Sequence, residues 1–194
     1  MLFRSYDYVS SAGDQGSLTS LDITSFCGGS ISNCTLTPSI AAGSFTHGFY
    51  KADGDLTLNN ISAFTSNVGN YVVLVNGNLL INKNITVNAG STATFVVRGN
   101  TTIDKSVTIL QGFFSTDQNF TVNGAGTCPG AADLPLNISG AVVVRAGLSG
   151  VFTNQRDLCD NTNPSVKFLE RPDMILNAPR LLKQADKIWR ELAP

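Results

Sequence analysis

The sequence predicts an all-β fold, a parallel β-solenoid (β-helix) of about five coils that is followed by an amphipathic helix. Three observations predict it: a motif that recurs about every 22 residues, a composition rich in small polar and β-branched residues, and a change of hydrophobic period near residue 178. We expect a single domain over residues 1–194, with an irregular N-terminal layer at 1–50, solenoid coils at 51–154, an extended linker at 155–177 and a helix at 178–192.

The repeat begins with the hexapeptide at residues 54–59, Gly-Asp-Leu-Thr-Leu-Asn. It recurs at 77–82 and at 99–104, which are offsets of 23 and 22 residues, and the last two copies align without a gap as far as Val87 and Ile109. Weaker copies are predicted at Phe120–Asn123 and Ala141–Arg145. We expect one apolar column of Leu58, Ile81, Ile103, Val122 and Val144, and one polar column of Asn59, Asn82, Asp104, Asn123 and Arg145.

A period near 22, made of short β-branched runs, is typical of a solenoid in which each coil covers the apolar residues of the previous one. Asn and Gly suit its corners because they tolerate unusual backbone conformations, and stacked Asn side chains can hydrogen-bond along the axis. The alternative is an antiparallel sandwich with regularly spaced strands. The solenoid is favoured because consecutive copies resemble each other in sequence, which sandwich strands do not require.

Composition limits the classes of partner. Of the 194 residues, 42% are hydrophobic, only 14% are charged, and the formal net charge is −1. Such a chain has no basic stripe, so we expect neither nucleic acid binding nor electrostatic membrane binding. No apolar stretch approaches the length of a membrane-spanning helix.

The four cysteines indicate an oxidising compartment, although three pairings are open. Cys27 and Cys34 are close enough to close a small loop, while Cys128 and Cys159 lie in irregular stretches that a disulfide would staple. Zinc is not expected, because there is no CxxC motif and His47 is the sole histidine.

Residues 123–136 are predicted to bulge as a loop. The cysteines favour an extracellular or cell-surface location. Because no export signal is recognisable in this sequence, we expect the signal to lie outside this chain, as part of a longer protein.

The C-terminal segment has a helical period. Asn177 is a candidate N-cap, Pro179 suits a first turn, and one apolar stripe follows. Two interpretations stay open: the helix packs along the solenoid, or it docks on a partner or a membrane surface. The opposite face carries mixed charges, which disfavours a membrane. The stripe consists of Leu181, Leu182, Ala185, Ile188, Trp189 and Leu192.

The coil motifs at 54–58 and 77–81, the Arg-Asp-Leu at 156–158 and the ending at 171–194 resemble uncharacterised surface proteins of candidate-phyla bacteria. The resemblance covers roughly residues 48–194 and implies an exported β-helical module at the end of a long secreted chain. It implies no activity and no catalytic residues. More loosely, the coil resembles bactofilin-type solenoids, which polymerise end to end.

The sequence predicts no catalytic, cofactor-binding or metal-ligating residues. A polysaccharide hydrolase or lyase on this scaffold would need converging carboxylates, for which Asp104 with Asp55 or Asp117 is the best available set. Lys83 is expected near Asp104, which favours a solvated ion pair rather than a site. His47 lacks a nucleophile motif. We therefore expect a non-enzymatic structural or adhesive module without cofactor that binds cell-surface carbohydrate or protein; the alternatives are a carbohydrate-active enzyme and a self-assembling solenoid.

Overall fold

A computed structural model describes residues 7, 20–22, 48–58, 70–126, 128, 132–144, 150–160 and 162–177. Within these residues the chain is mostly strand, and every strand pairing is parallel. The predicted all-β parallel class is thereby confirmed. The predicted helix at 178–192 lies outside the described residues, as do His47, Cys27 and Cys34.

Twelve strands and one short helix are described, and the strands form two sheets. The order β1-β2-β4-β6-β8-β10-β12 makes a seven-stranded sheet, and β11-β9-β7-β5-β3 makes a five-stranded one. From β2 onward, successive strands therefore alternate between the two sheets. The strands are β1 (Ser20–Asp22), β2 (Gly48–Ala52), β3 (Leu56–Leu58), β4 (Asn70–Val75), β5 (Leu79–Ile81), β6 (Thr92–Val97), β7 (Thr101–Ile103), β8 (Ile109–Thr116), β9 (Phe120–Val122), β10 (Leu136–Val144), β11 (Phe152–Asn154) and β12 (Val166–Leu169).

The register of the sheets follows the sequence repeat through its first four copies. Leu58 pairs with Ile81, Ile81 with Ile103, and Ile103 with Val122, so four of the five predicted apolar positions do stack. All four are at most 1% exposed. Because adjacent parallel strands lie about 4.8 Å apart, each of these side chains covers the one before it.

The fifth position of that column was predicted wrongly. Val144 lies in β10 of the seven-stranded sheet and pairs with Thr116. Asn154 of β11 instead pairs with Val122, and the N–H of Gln155 donates to the carbonyl of Val122, so Gln155 takes the place predicted for Arg145. The apolar run in β10 resembles the repeat motif, but the loop before it and the greater length of β10 delay the true copy by about ten residues.

The ungapped alignment after Asp104 was also wrong. Ile85 pairs with Leu110 rather than with Val107. The reason is a tight turn, in which the Asp104 carboxylate accepts hydrogen bonds from the backbone N–H and the hydroxyl of Ser106. This turn places three extra residues between β7 and the bridge at Leu110, which already belongs to β8. The stacking is restored within β8, because Leu110 and Phe114 are four positions apart whereas their partners Ile85 and Phe95 are ten positions apart.

The segment expected as an extended linker, 155–177, contains regular structure. Strand β12 pairs with residues 136–139 of β10, and helix α1 (Pro172–Asn177) follows it. Pro172 and Asp173 suit the first turn of a helix, because proline lacks an N–H and the carboxylate complements the helix dipole. Met174 of α1 is fully buried, and α1 lies beside β6. Likewise, β1 lies within the layer predicted as irregular and pairs with β2.

The core between the sheets is apolar and partly aromatic. The rings of Phe95 and Phe114 stack with centroids 5.0 Å apart, Phe114 meets Phe120 edge-on, and Phe120 stacks on Phe152 at 5.5 Å. Such contacts stabilise beyond the area they bury. The outward-facing residues of β4 and β6 are buried as well, namely Val72, Leu74 and Val96.

Two glycines with positive φ angles lie opposite each other in the two longest strands. Gly112 of β8 and Gly140 of β10 are opposite each other, with φ angles of 141° and 130°. A Cβ atom on Gly140 would lie 2.1 Å from the carbonyl oxygen of Gly112. Both positions therefore need glycine for backbone conformation and for space.

We expect Gly140→Ala to destabilise the fold by about 2 kcal/mol or more, because it combines a disfavoured φ with a backbone clash. The midpoint of urea unfolding measures the loss. Thr57→Ala, at an outward position, is the matched control and should change stability by less than about 0.5 kcal/mol. Equal midpoints for Gly140→Ala and the wild type would contradict the positive φ angle and the close approach at Gly140.

Candidate functional site

One corner of the fold carries a ladder of hydrogen-bonded polar side chains. The Asp55 carboxylate accepts from the Asn78 backbone at 2.7 Å and from its amide at 3.1 Å. The Asn78 side-chain oxygen accepts from Asn100 in the same way, and that of Asn100 accepts from the N–H of Asn119 at 3.2 Å. The oxygen of Asn119 accepts from Val151. This arrangement explains the Gly-Asn repeat, because a Cβ on Gly77 would lie 2.5 Å from the Asp55 carboxylate.

The outer face of the five-stranded sheet adjoins this ladder. Each of its strands has three residues, and in the four with buried ends the middle residue is the half-buried one. The middle residues stack in register as one outward column, and four of the five are threonine. The column is Thr57, Leu80, Thr102, Thr121 and Thr153. The face is therefore narrow, regular and uncharged.

The carboxylates considered for catalysis occupy different places on the fold. Asp55 precedes β3 on the corner ladder, and Asp104 follows β7 at the opposite end of the strands of that sheet. Asp117 follows β8, and its N–H donates to the carbonyl of Val97. Asp55 follows β2 and Asp117 follows β8, and these two strands are three strand spacings apart in the seven-stranded sheet, about 14 Å. These three residues do not form the pair, about 5–9.5 Å apart, that glycosidases use.

The environment of Asp104 also suits a structural role. Burial pushes the pKa of its carboxyl upward, but hydrogen bonds from Ser106 and the charge of Lys105 outweigh burial and hold the pKa below its ordinary value. A general acid needs the opposite shift. The positive charge that acts on Asp104 is that of Lys105. The ion pair expected between Lys83 and Asp104 is not among the interactions of Asp104.

A buried arginine joins the loop at 123–135 to the body of the fold. Arg156 is 6% exposed, and its guanidinium donates to the carbonyl oxygens of Asn123, Leu134, Asp104 and Val107. Burial lowers the pKa of Arg156 below its ordinary value, although the charges of Asp133 and Asp104 oppose this shift. Arginine stays protonated throughout, so the group is a fixed cationic clamp.

The carboxylate of Asp133 organises the same loop. It accepts from the N–H groups of Ala125 and Gly126 at 2.8 Å and of Asp157 at 3.0 Å. Burial raises the pKa of Asp133, but these hydrogen bonds and the charge of Arg156 outweigh it and hold the pKa below its ordinary value. Asp133 therefore remains ionised in the folded state at neutral pH.

Asp133→Asn should reduce the dependence of stability on pH in the acid range. Because the pKa of Asp133 is lower in the fold than in the unfolded chain, its stabilisation is complete above the ordinary carboxyl pKa of about 4. That stabilisation is lost as the pH falls through the depressed pKa. The difference between the urea midpoints at pH 6 and pH 3 should be smaller in the variant than in the wild type, because the variant loses about 1–2 kcal/mol at pH 6. Asp53→Asn, an exposed partner of Lys51, is the control; an equal effect there would contradict the role of Asp133.

A disulfide closes this region. Cys128 and Cys159, which are 31 positions apart in the sequence, are bonded, and this is one of the pairings that the sequence left open. Among the described residues, their sulfur atoms and a carboxylate oxygen of Asp157 form the group whose possible metal ligands lie within 4.8 Å of one another. Metal ligation requires thiolates, so the bonded sulfurs do not provide such a site.

Sequence reasoning missed Arg156 and Asp133 as organising residues. Both are charged residues in irregular segments, and nearly all their partners are backbone groups, which leave no side-chain pattern in the sequence. Hydrogen-bonded Asn side chains were expected at corners in general, but the predicted polar column contains Asn82 and Asp104, whereas the observed ladder contains Asn78 and Asn100. Within the described part of the chain, no helix is long and apolar enough to cross a membrane.

The comparisons with known proteins identify a family. The model of a domain of unknown function, DUF7305, matches residues 13–146, which is more than half of the chain. The chain therefore belongs to the DUF7305 family. The comparison with curated proteins and the comparison with solved structures each give no match.

Proposed function

We propose that this DUF7305 protein is a β-solenoid of about five coils that serves as a non-enzymatic structural or adhesive module outside the cell. The alternation of successive strands between two parallel sheets supports the solenoid, because each passage through both sheets is one coil. The Cys128–Cys159 disulfide supports an oxidising compartment. The resemblance to bacterial surface proteins points to display at the end of a longer chain.

The observation that carries the adhesive role is the outer face of the five-stranded sheet. Threonine hydroxyls both donate and accept hydrogen bonds, as the hydroxyls of a sugar do, and their spacing of about 4.8 Å repeats along the face. The neighbouring ladder fixes one margin, because its side chains are bonded from coil to coil. A rigid, uncharged, hydroxyl-lined face loses little conformational entropy when it binds an extended carbohydrate chain.

A glycan array followed by titration of the strongest ligand tests this proposal. Thr102→Lys and Thr121→Lys place a bulky cation in the middle of the face, and we expect each to weaken binding at least tenfold. Val143→Lys, on the other sheet, should leave affinity unchanged. If all three variants bind equally, the proposed face is wrong; if only a protein partner is recovered and no glycan, the carbohydrate ligand is wrong.

The enzyme alternative finds less support. It required Asp104 to converge with Asp55 or Asp117, and the register separates these residues. The adhesive proposal needs no convergence, because binding uses repeated weak contacts along the face.

A further inference from the structure

The exposed large apolar side chains of the described residues all lie from residue 134 onward in the sequence, and they are between 48% and 75% exposed. Two of them, Phe168 and Leu169, are neighbours in β12 at the edge of the seven-stranded sheet. Exposed apolar side chains that lie together usually mark an interaction surface. The exposed residues are Leu134, Val143, Val151, Phe168, Leu169, Ile175 and Leu176.

Phe168 lies where the core reaches the end of the stack. It pairs with Ile138, which is fully buried and in turn pairs with Leu110. Its ring lies 5.8 Å from that of Phe152, which continues the internal aromatic column. In the interior each level covers the previous one, but no described strand follows β12 or β11. We call the surface formed by Phe152, Phe168 and Leu169 the open end.

The chain leaves the described fold within reach of the open end. Helix α1 turns back along the stack, since Arg171 donates to Gln111 of β8 and α1 lies beside β6. Strand β6 is three strand spacings from β12, about 14 Å. Pro179 disfavours a helical conformation at Ala178, so α1 is not expected to continue straight on. Without Ala178, the predicted helix would be about 21 Å long, which is enough to return to the open end.

The chemistry of the segment 178–194 matches this surface. Its sequence places six apolar residues, including Leu182 and Trp189, on one helical stripe. Its charged residues are four basic and two acidic. The last level of the stack presents exposed carboxylates of Asp157, Asp160 and Glu170 and the half-buried cation of Lys167, whereas Arg156 is buried and Arg171 is paired with Asp173.

We propose that the open end is the docking surface for the chain's own residues 178–194, which bind as an amphipathic helix with Trp189 against Phe168. The docked segment covers the last level of the core and blocks end-to-end association of two copies. This inference does not depend on the adhesive role, because it concerns a different surface of the molecule.

Trp189 is the only tryptophan, so its fluorescence in the full chain reports docking directly. We expect a blue-shifted emission maximum and weak quenching by iodide and acrylamide in the wild type. Phe168→Lys and, independently, Leu182→Lys should shift the emission to the red and raise the acrylamide quenching constant several-fold. Leu182→Lys changes no residue of the strands, so it stays informative if Phe168→Lys fails to fold.

Two matched controls accompany these variants. Val143→Lys alters an equally exposed apolar residue away from the open end, and Lys183→Ala alters the polar face of the segment; both should behave as the wild type. A solvent-like Trp189 in the wild type overturns the proposal. So does exposure of Trp189 by Leu182→Lys but not by Phe168→Lys in a folded protein. A wild-type dimer that dissociates in the Phe168→Lys variant would show that the open end binds a second copy of the chain. That result would also overturn the proposal.

Discussion

Ile103→Asp is expected to unfold the protein at room temperature. Ile103 has no exposed surface and stacks between Ile81 and Val122 in the apolar column of the five-stranded sheet. An unpaired carboxylate at this position must either stay charged in the core or take up a proton, and each costs several kcal/mol. That cost is comparable with the whole stability of a typical domain, about 5–15 kcal/mol. Far-UV circular dichroism with a thermal melt measures the outcome.

Thr102→Asp is the matched control for that experiment. Thr102 is adjacent in the same strand but points outward and is half-buried. Its carboxylate would remain hydrated, so we expect a change below about 1 kcal/mol. A slip of the register by one residue would exchange the two results, because alternate residues of a strand face opposite sides. An Ile103→Asp variant that melts like the wild type would show the stacking register to be wrong.

The sequence was informative wherever one side-chain column sets the geometry. The column from Leu58 to Val122 could be predicted because each member must be apolar to cover the next. The Gly-Asn pairs marked a corner of the fold for a similar reason, since the side-chain oxygen of Asn78 accepts from the next copy of the repeat and leaves no space for a Cβ at Gly99. Both are repeating constraints, and repetition is visible in a single sequence.

Prediction failed where copies of the repeat differ in length. The turn at Asp104 and Ser106 shifts the pairing of Ile85 to Leu110, and the loop after Asn123 moves the last strand of the five-stranded sheet to Phe152–Asn154. An apolar run such as Val142–Val144 fits either sheet in sequence terms. Only the backbone hydrogen bonds decide which sheet this run joins. Insertions between strands are tolerated because they bulge outward and leave the register of the sheets unchanged.

The candidate sites show the same division. The first four members of the outward column follow from period-two alternation in the repeated strands, whereas Thr153 lies in a strand that the sequence placed wrongly. Asp133 could not be distinguished from any surface aspartate, because its three donors are backbone N–H groups. The sequence does not show which strands lie next to each other, so it offered Asp55, Asp104 and Asp117 as a possible set. The register of the strands then separates these three residues.

Arg156→Met is expected to cause the second large loss of stability, about 3 kcal/mol or more. Four carbonyl oxygens would lose their donor, and burying an unsatisfied polar group costs about 1–3 kcal/mol. Asp133 would also lose the positive charge that helps to hold its pKa down. Methionine matches the aliphatic part of arginine, so the loss reports the hydrogen bonds rather than a cavity. Urea unfolding monitored by circular dichroism measures it.

Arg156→Lys separates charge from geometry in this clamp. Lysine keeps the positive charge but lacks the planar fork that reaches carbonyls from both the loop and the body, so most of the loss should remain. Arg98→Met is the matched control, since Arg98 is exposed and donates to the side chain of Asn76; its cost should stay below about 1 kcal/mol. Full recovery by lysine would show that charge alone holds the loop. Equal costs for Arg98→Met and Arg156→Met would show that Arg156 does not clamp it.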